Sequence, residues 1–159
     1  MSADLEKRIQ RLEDIEEIKK MIARYAQAGD DKNNPDIFGP MITEDAIWEA
    51  EGFGQHKGRD VITKVLSEVA QEKILWALHF MTSPLIDIAE DGKTATAMWY
   101  LWETAIARED REAEGKSTWI GGWYETDLRR EADGKWRWNH IRLMLKLFSP
   151  NEKPEWDIL

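Results

Sequence analysis

Two aspartate–glycine pairs, Asp91-Gly92 and Asp133-Gly134, place the tightest limit on what this chain can become. Each is a short turn signal. Each joins two segments of strand length, residues 75–88 to 94–107 and residues 117–131 to 135–148. The four strands follow one another as a meander, with the charged stretch Arg108 to Lys116 as a longer exposed loop in the middle. A sheet of this size must bury a face against something, and the first half of the chain supplies it.

That half opens with apolar residues at helical spacing, Leu5, Ile9, Leu12, Ile15, Ile18, Ile22 and Tyr25, among Glu and Lys/Arg at i,i+4 distances. The pattern predicts a long amphipathic helix with a solvated outer face, ended by Gly29 and the polar run Asp30 to Asn34. Pro35 opens a short second helix over Asp36 to Met41. Thr43 to Ala50 reads as a strand, and Gly52, Gly54 and Gly58 punctuate a short returning strand around Gln55-His56-Lys57. A third helix follows Gly58-Arg59-Asp60, with Val61, Ile62, Val65, Leu66 and Val69 on one side. Without repeats, linkers or low-complexity segments, residues 1–159 read as one α+β domain. Its expected form is a cone-shaped barrel, a bent antiparallel or mixed sheet wrapped over three N-terminal helices around an apolar cavity.

Composition removes several classes of function. A net charge of -9 repels phosphate backbones and anionic membrane surfaces, and no Lys/Arg cluster offsets it locally. No apolar run approaches bilayer length and nothing resembles a signal peptide. The lack of cysteine excludes disulfides, thiol nucleophiles and cysteine-ligated metals, and fits a cytoplasmic protein. The three histidines are scattered without ligand spacing, so neither a metal nor another cofactor is expected. Nine tryptophans have three uses: most fill the core, some such as Trp48 and Trp99 wall a pocket for a flat or cyclic apolar ligand, and some serve self-association.

Chemistry concentrates at His79, alone in the apolar run Ile74 to Met81, with Asp30-Asp31 about fifty residues upstream. A histidine on the inner face of a strand, oriented by a carboxylate, is a minimal general acid–base device near neutral pH. The competing fate is a core histidine bonded to a backbone carbonyl. An aspartate at a helix C-terminus opposes the macrodipole, which gives at least one of Asp30 and Asp31 another task. Tyr25 shares the apolar stripe of the first helix, where a phenol can polarise a carbonyl or simply pack. Glu103 shares strand parity with Trp99 and Leu101. Facing inward it is a desolvated carboxyl group able to act as an acid, and facing outward it is a solvated strand residue.

With its motifs in order, the chain resembles the SnoaL-like branch of the nuclear transport factor 2-like superfamily over nearly its whole length. The likeness is carried by Leu12 to Ile18 through Tyr25-Ala26, Asp30-Asp31, Glu44 to Trp48, Gly58 to Ile62, His79-Phe80, Gly121 to Tyr124 and Asp133 to Trp136. Within the branch it is similar to hexachlorocyclohexane dehydrochlorinases, scytalone dehydratases and bile-acid 7α-dehydratases. The resemblance implies a cofactor-free lyase, a dehydratase or dehydrohalogenase of a hydrophobic cyclic small molecule, assembled as a homotrimer. It implies His79 as the dyad histidine and general base, and as its partner either Asp31, selected by counting back from Asp45 and favoured on the match of Gly29-Asp30-Asp31-Lys32, or Asp30, selected by counting forward from Tyr25. Tyr25 falls on a pocket tyrosine and Glu103 on an acidic residue of the bile-acid enzymes. Arg142 lies near a substrate-binding arginine, although the ungapped count puts Ile141 at that position and turns Arg142 away unless a bulge intervenes. The same cone also serves ketosteroid-type isomerases, polyketide cyclases, ligand-binding modules and dioxygenase β subunits, which stand as the alternatives.

Overall fold

The computed structural model describes residues 3–150, without the side chain of Pro150, so Trp156 lies outside the described residues. Three helices, α1 (Ala3–Asp30), α2 (Pro35–Phe38, continued by a 3-10 turn Gly39–Met41) and α3 (Arg59–Lys73), pack against one sheet. Its strands are β1 (Ile42–Ala50), β2 (Gly54–Lys57), β3 (Ile74–Ile88), β4 (Thr94–Ala107), β5 (Lys116–Arg130) and β6 (Trp136–Pro150). The order is β2-β1-β6-β5-β4-β3. Only β1 and β6 run parallel; the rest are antiparallel. The expected α+β cone is therefore present, with a mixed sheet that stays open between the edge strands β2 and β3. Among the described residues no helix is long and apolar enough to cross a membrane.

The helix α1 buries Ile18, Met21, Ile22, Tyr25, Ala28 and Gly29, a stripe at three- and four-residue spacing. The stripe begins later than the sequence implies, since Leu5, Ile9 and Leu12 are exposed. It also ends later. Gly29 is helical, and the chain turns off at Lys32 and Asn33, both in left-handed conformation. Bonds from Asp31 N to Gln27 O (3.1 Å) and from Asn34 N to Ala28 O (3.1 Å) close that end.

A long edge strand such as β3 presents unpaired backbone groups, and side chains of α1 and the turn after it satisfy several of them. Arg11 Nη1 donates to Ile88 O at 2.8 Å, Lys32 Nζ to Ile74 O and, at 2.7 Å, to Leu75 O. Asp30 Oδ1 accepts the backbone N–H of His79 at 2.8 Å. This seam fixes the C-terminal end of α1 against the middle of β3, and the cavity opens beside it.

Candidate active site

The cavity occupies about 250 Å³ between the inner face of the sheet, α1 and α3. Its wall is largely apolar, with Leu66 and Val69 from α3 and Leu101, Ile120, Leu143 and Leu145 from the sheet. Against this background the polar groups are few: Tyr25, Tyr124, His79, Glu103, and His56 and Asn33.

His79 stands between two carboxylates. Its Nδ1 lies 2.9 Å from Asp30 Oδ1, the same oxygen that holds its backbone N–H, and its Nε2 lies 3.2 Å from Glu103 Oε2. His79 and Glu103 are directly opposed in the β3–β4 ladder. Glu103 is buried and reaches the cavity, so the inward orientation of its strand parity holds. Burial, the strongest influence on the imidazole, pulls its pKa down, but Glu103 and Asp30 together outweigh it and raise the pKa above its ordinary value. Gly29 makes this contact possible: a Cβ there would lie 2.8 Å from His79 Cε1. The glycine is present for the approach of the ring rather than for ending the helix.

Of the two candidate aspartates, Asp30 is bonded to His79 and the favoured Asp31 is not. Asp31 is exposed and accepts from Asn34 Nδ2 at 2.6 Å, because α1 ends at Asp30 and the next residue has turned away from β3. Tyr25 is fully enclosed and accepts the indole N–H of Trp48 at 3.1 Å, with the Tyr124 hydroxyl beside it. Burial raises the pKa of both phenols, that of Tyr124 well above its usual value, so both are neutral donors. Two hydroxyls carry two protons and their mutual bond consumes one, leaving one for a ligand oxygen.

Two other expectations are corrected. Arg142 does not reach the cavity; it lies on the outer face, 2.7 Å from Asp127 and 2.8 Å from His140 Nδ1, while its neighbour Ile141 is buried. Trp99 is fully buried behind the cavity, stacked on Tyr124 at 5.1 Å and tilted against Trp138 at 5.6 Å. Trp48 does line the cavity. His56, which the sequence places on the short returning strand beside its glycines and facing solvent, joins it there instead, paired with Trp48 across the β1–β2 hairpin and stacked on its ring at 6.1 Å. The fold of that hairpin about Gly52 is the signal that would have found it. No group of three or more acidic or histidine side chains among the described residues has the arrangement of a metal site.

The family described as the SnoaL-like domain matches residues 10–142. The crystal structure of LinA is similar with a TM-score of 0.85 at 17% identity, over 96% of this chain and 99% of that one. The hexachlorocyclohexane dehydrochlorinase LinA-type3 from Novosphingobium barchaimii gives 0.79 at 18% identity, over 99% and 100%. A candidate scytalone dehydratase from Novosphingobium aromaticivorans gives 0.73 at 19% identity, over 91% of each chain. At such identities the likeness establishes the fold.

Proposed function

The chain belongs to the SnoaL-like domain family, and on that premise we propose that it is a cofactor-independent lyase removing water or hydrogen halide from a hydrophobic cyclic small molecule. The observation that carries the proposal is His79 held between Asp30 and Glu103 at the wall of an otherwise apolar cavity. An elimination needs a base for one C–H proton and assistance for one leaving group. With a carboxylate at each ring nitrogen, His79 rests as an imidazolium and is placed to act first as the acid, a departure from the role of base that the resemblance implies. No donor among the described residues is bonded to the second oxygen of Glu103, which is free to act as the base.

In the dehydration, Glu103 takes the C–H proton and the electron pair becomes the new C=C bond. The C–O bond breaks as His79 gives its Nε2 proton to the departing hydroxyl, which leaves as water. The proton on Glu103 then returns to His79 across their 3.2 Å contact, restoring both groups. Asp30 keeps the imidazolium charged and fixes the ring through two bonds to one oxygen. Tyr25 and Tyr124 offer the remaining hydroxyl proton to a substrate oxygen. As part of the same proposal the working form is a homo-oligomer, the trimer implied by the sequence resemblance.

The test is an elimination assay on cyclic alcohols and halides, following product absorbance and released halide, with His79→Asn, Glu103→Gln and Asp30→Asn. Loss of turnover in folded variants is expected. Undiminished turnover in folded His79→Asn rejects the mechanism. The tyrosine pair favours a second reading, a ketosteroid-type isomerase in which a phenol steadies an enolate while Glu103 moves a proton between carbons. Isomerised product with no water or halide released would select it.

A further inference from the structure

The two edge strands of the open sheet each send a histidine to the cavity. β2 and β3 stand at opposite ends of the strand order, yet His56 on β2 and His79 on β3 line the same pocket. His79 is engaged at both ring nitrogens, by Asp30 and by Glu103. His56 is half-buried and stacked on Trp48, and no carboxylate is bonded to it among the described residues. The elimination written above makes no use of it.

The single protein partner of the His56 ring fixes the use of its nitrogens. Nε2 lies 3.2 Å from the backbone oxygen of Phe53. A carbonyl only accepts, so Nε2 donates in this contact. The bond ties the ring to the tip of the β1–β2 hairpin, where Gly52 and Gly54 turn the chain in left-handed conformation. Nδ1 is then the nitrogen left over, with no hydrogen-bond partner among the described residues. It accepts when the ring is neutral and donates when the ring is charged. A hydroxyl group matches either form, because it can donate and accept. A carbonyl or ether oxygen matches only the charged one.

The neighbours of His56 describe the molecule that would carry this hydroxyl. Trp48 is a fixed plate, since its indole N–H is committed to Tyr25 at 3.1 Å. Phe53 adds a second flat ring to the cavity wall while remaining 48% exposed, which puts it at the rim. An apolar cavity of about 150 Å³ takes up benzene, so a volume of about 250 Å³ admits one substituted ring or two fused rings. We propose that His56 is a second binding point of the cavity, whose Nδ1 holds a hydroxyl of the substrate other than the group eliminated at His79. The inference rests on the cavity being the substrate site of the preceding proposal. It deepens that reading by naming the substrate class, a flat one- or two-ring molecule with an O–H besides its leaving group. A site built around a hydroxyl rejects the analogue that lacks it, because its own polar group is then left unpaired.

The test is calorimetric titration of the full chain with 2-naphthol and with 2-fluoronaphthalene, which is close in shape and has no O–H. Wild type is compared with His56→Phe, which keeps a ring over Trp48 and removes both nitrogens; His56→Leu replaces it if circular dichroism shows that His56→Phe does not fold. Wild type should bind 2-naphthol about tenfold more tightly than 2-fluoronaphthalene, the scale of one hydrogen bond. The variant should lose that preference and still bind 2-fluoronaphthalene within about threefold of wild type. A preference that persists in the folded variant gives the hydroxyl to another group and overturns the assignment. Equal weakening of both probes marks a packing role and overturns it too, as does a wild-type chain without preference or without binding. Neither probe undergoes elimination, so the two proposals fail separately. A preference that depends on His56 in a chain that eliminates nothing upholds the binding point and rejects the lyase. Elimination that depends on His79 in a chain without the preference does the reverse.

Discussion

The molecule carries two histidines set among carboxylates, on opposite faces of one sheet. His79 faces inward between Asp30 and Glu103. His140 faces outward, with Nε2 2.7 Å from Glu49 and Nδ1 3.9 Å from Asp127. The difference is an arginine. Arg142 Nη2 lies 2.8 Å from His140 Nδ1, and since a guanidinium only donates, that nitrogen accepts in this contact. No Lys or Arg side chain lines the cavity among the described residues, so nothing opposes a proton on His79 except burial. Like residue types give a histidine of raised pKa on one face and a closed hydrogen-bonded network on the other. In the proposed mechanism the acid–base site is thus defined less by its histidine than by the cation withheld from it.

The largest effect should separate the two histidines outright. His79→Asn or Glu103→Gln should lower kcat for the elimination by about a thousandfold, the scale of a general acid or base. His140→Asn should leave it within about twofold, as a substitution away from the cavity. Equal losses at both positions, measured in steady-state assays, would end the comparison. Gly29→Ala comes next. The added methyl would sit 2.8 Å from the His79 ring, which must shift. A displacement of this kind should cost about a hundredfold in kcat and roughly 1–3 kcal/mol of stability from overpacking, read by urea unfolding. Rescue by no change at all would mean the ring is not held where Gly29 admits it.

Two bulges create this contrast, and they explain what could be read in advance. The turn at Asp91-Gly92 sets the β3–β4 register near the hairpin, where Leu85 opposes Met98. Continued without interruption, that register would oppose His79 to Thr104 and turn His79 to the outer face, away from the inward Glu103. The shift between Thr82 and Leu85, around Ser83 with its positive φ of 54°, brings Glu103 opposite His79. On β6, Trp136 and Trp138 point inward, and simple alternation would carry His140 and Arg142 inward with them. The shift at Asn139, between the pairs Asp127–His140 and Leu128–Trp138, sends both outward and puts Ile141 in the core. The helices and the four long strands were legible because periodicity and turn residues are local. The carboxylate at Nε2 and the exile of Arg142 depend on single extra residues in long strands, which leave no local mark.

A smaller effect follows from the sign of the His79 shift. A group whose pKa is raised in the folded state stabilises fully below its unfolded value, about 6.5 for histidine, and that stability is lost as pH rises through the folded value. Raising the pH through this window should therefore lower the stability of the wild-type chain. His79→Asn should lose this part of the dependence. The same rise should lower kcat, because the proton that His79 gives to the leaving group is removed. A kcat that climbs through the window instead would restore His79 to the role of resting base, and with it the assignment implied by the resemblance.

The smallest effect is expected where the sequence reading placed the partner carboxylate. Asp31→Asn should change kcat less than about twofold and stability by under about 0.5 kcal/mol, the range of surface substitutions away from special features. The Asp31 carboxylate accepts from Asn34 Nδ2 at the turn off α1, away from β3. Asp30→Asn is the informative counterpart. An asparagine oxygen can still accept both N–H groups of His79 that Asp30 now holds, so the ring stays in place and only the charge is lost. The pKa of His79 should then fall relative to wild type, measurable by NMR titration of its ring, with activity dropping in step. If Asp31→Asn produced that fall and Asp30→Asn did not, the helix would have to end one residue later and rotate its last carboxylate onto β3. The bond from Asp31 N to Gln27 O and the left-handed turn at Lys32 and Asn33 argue against that geometry.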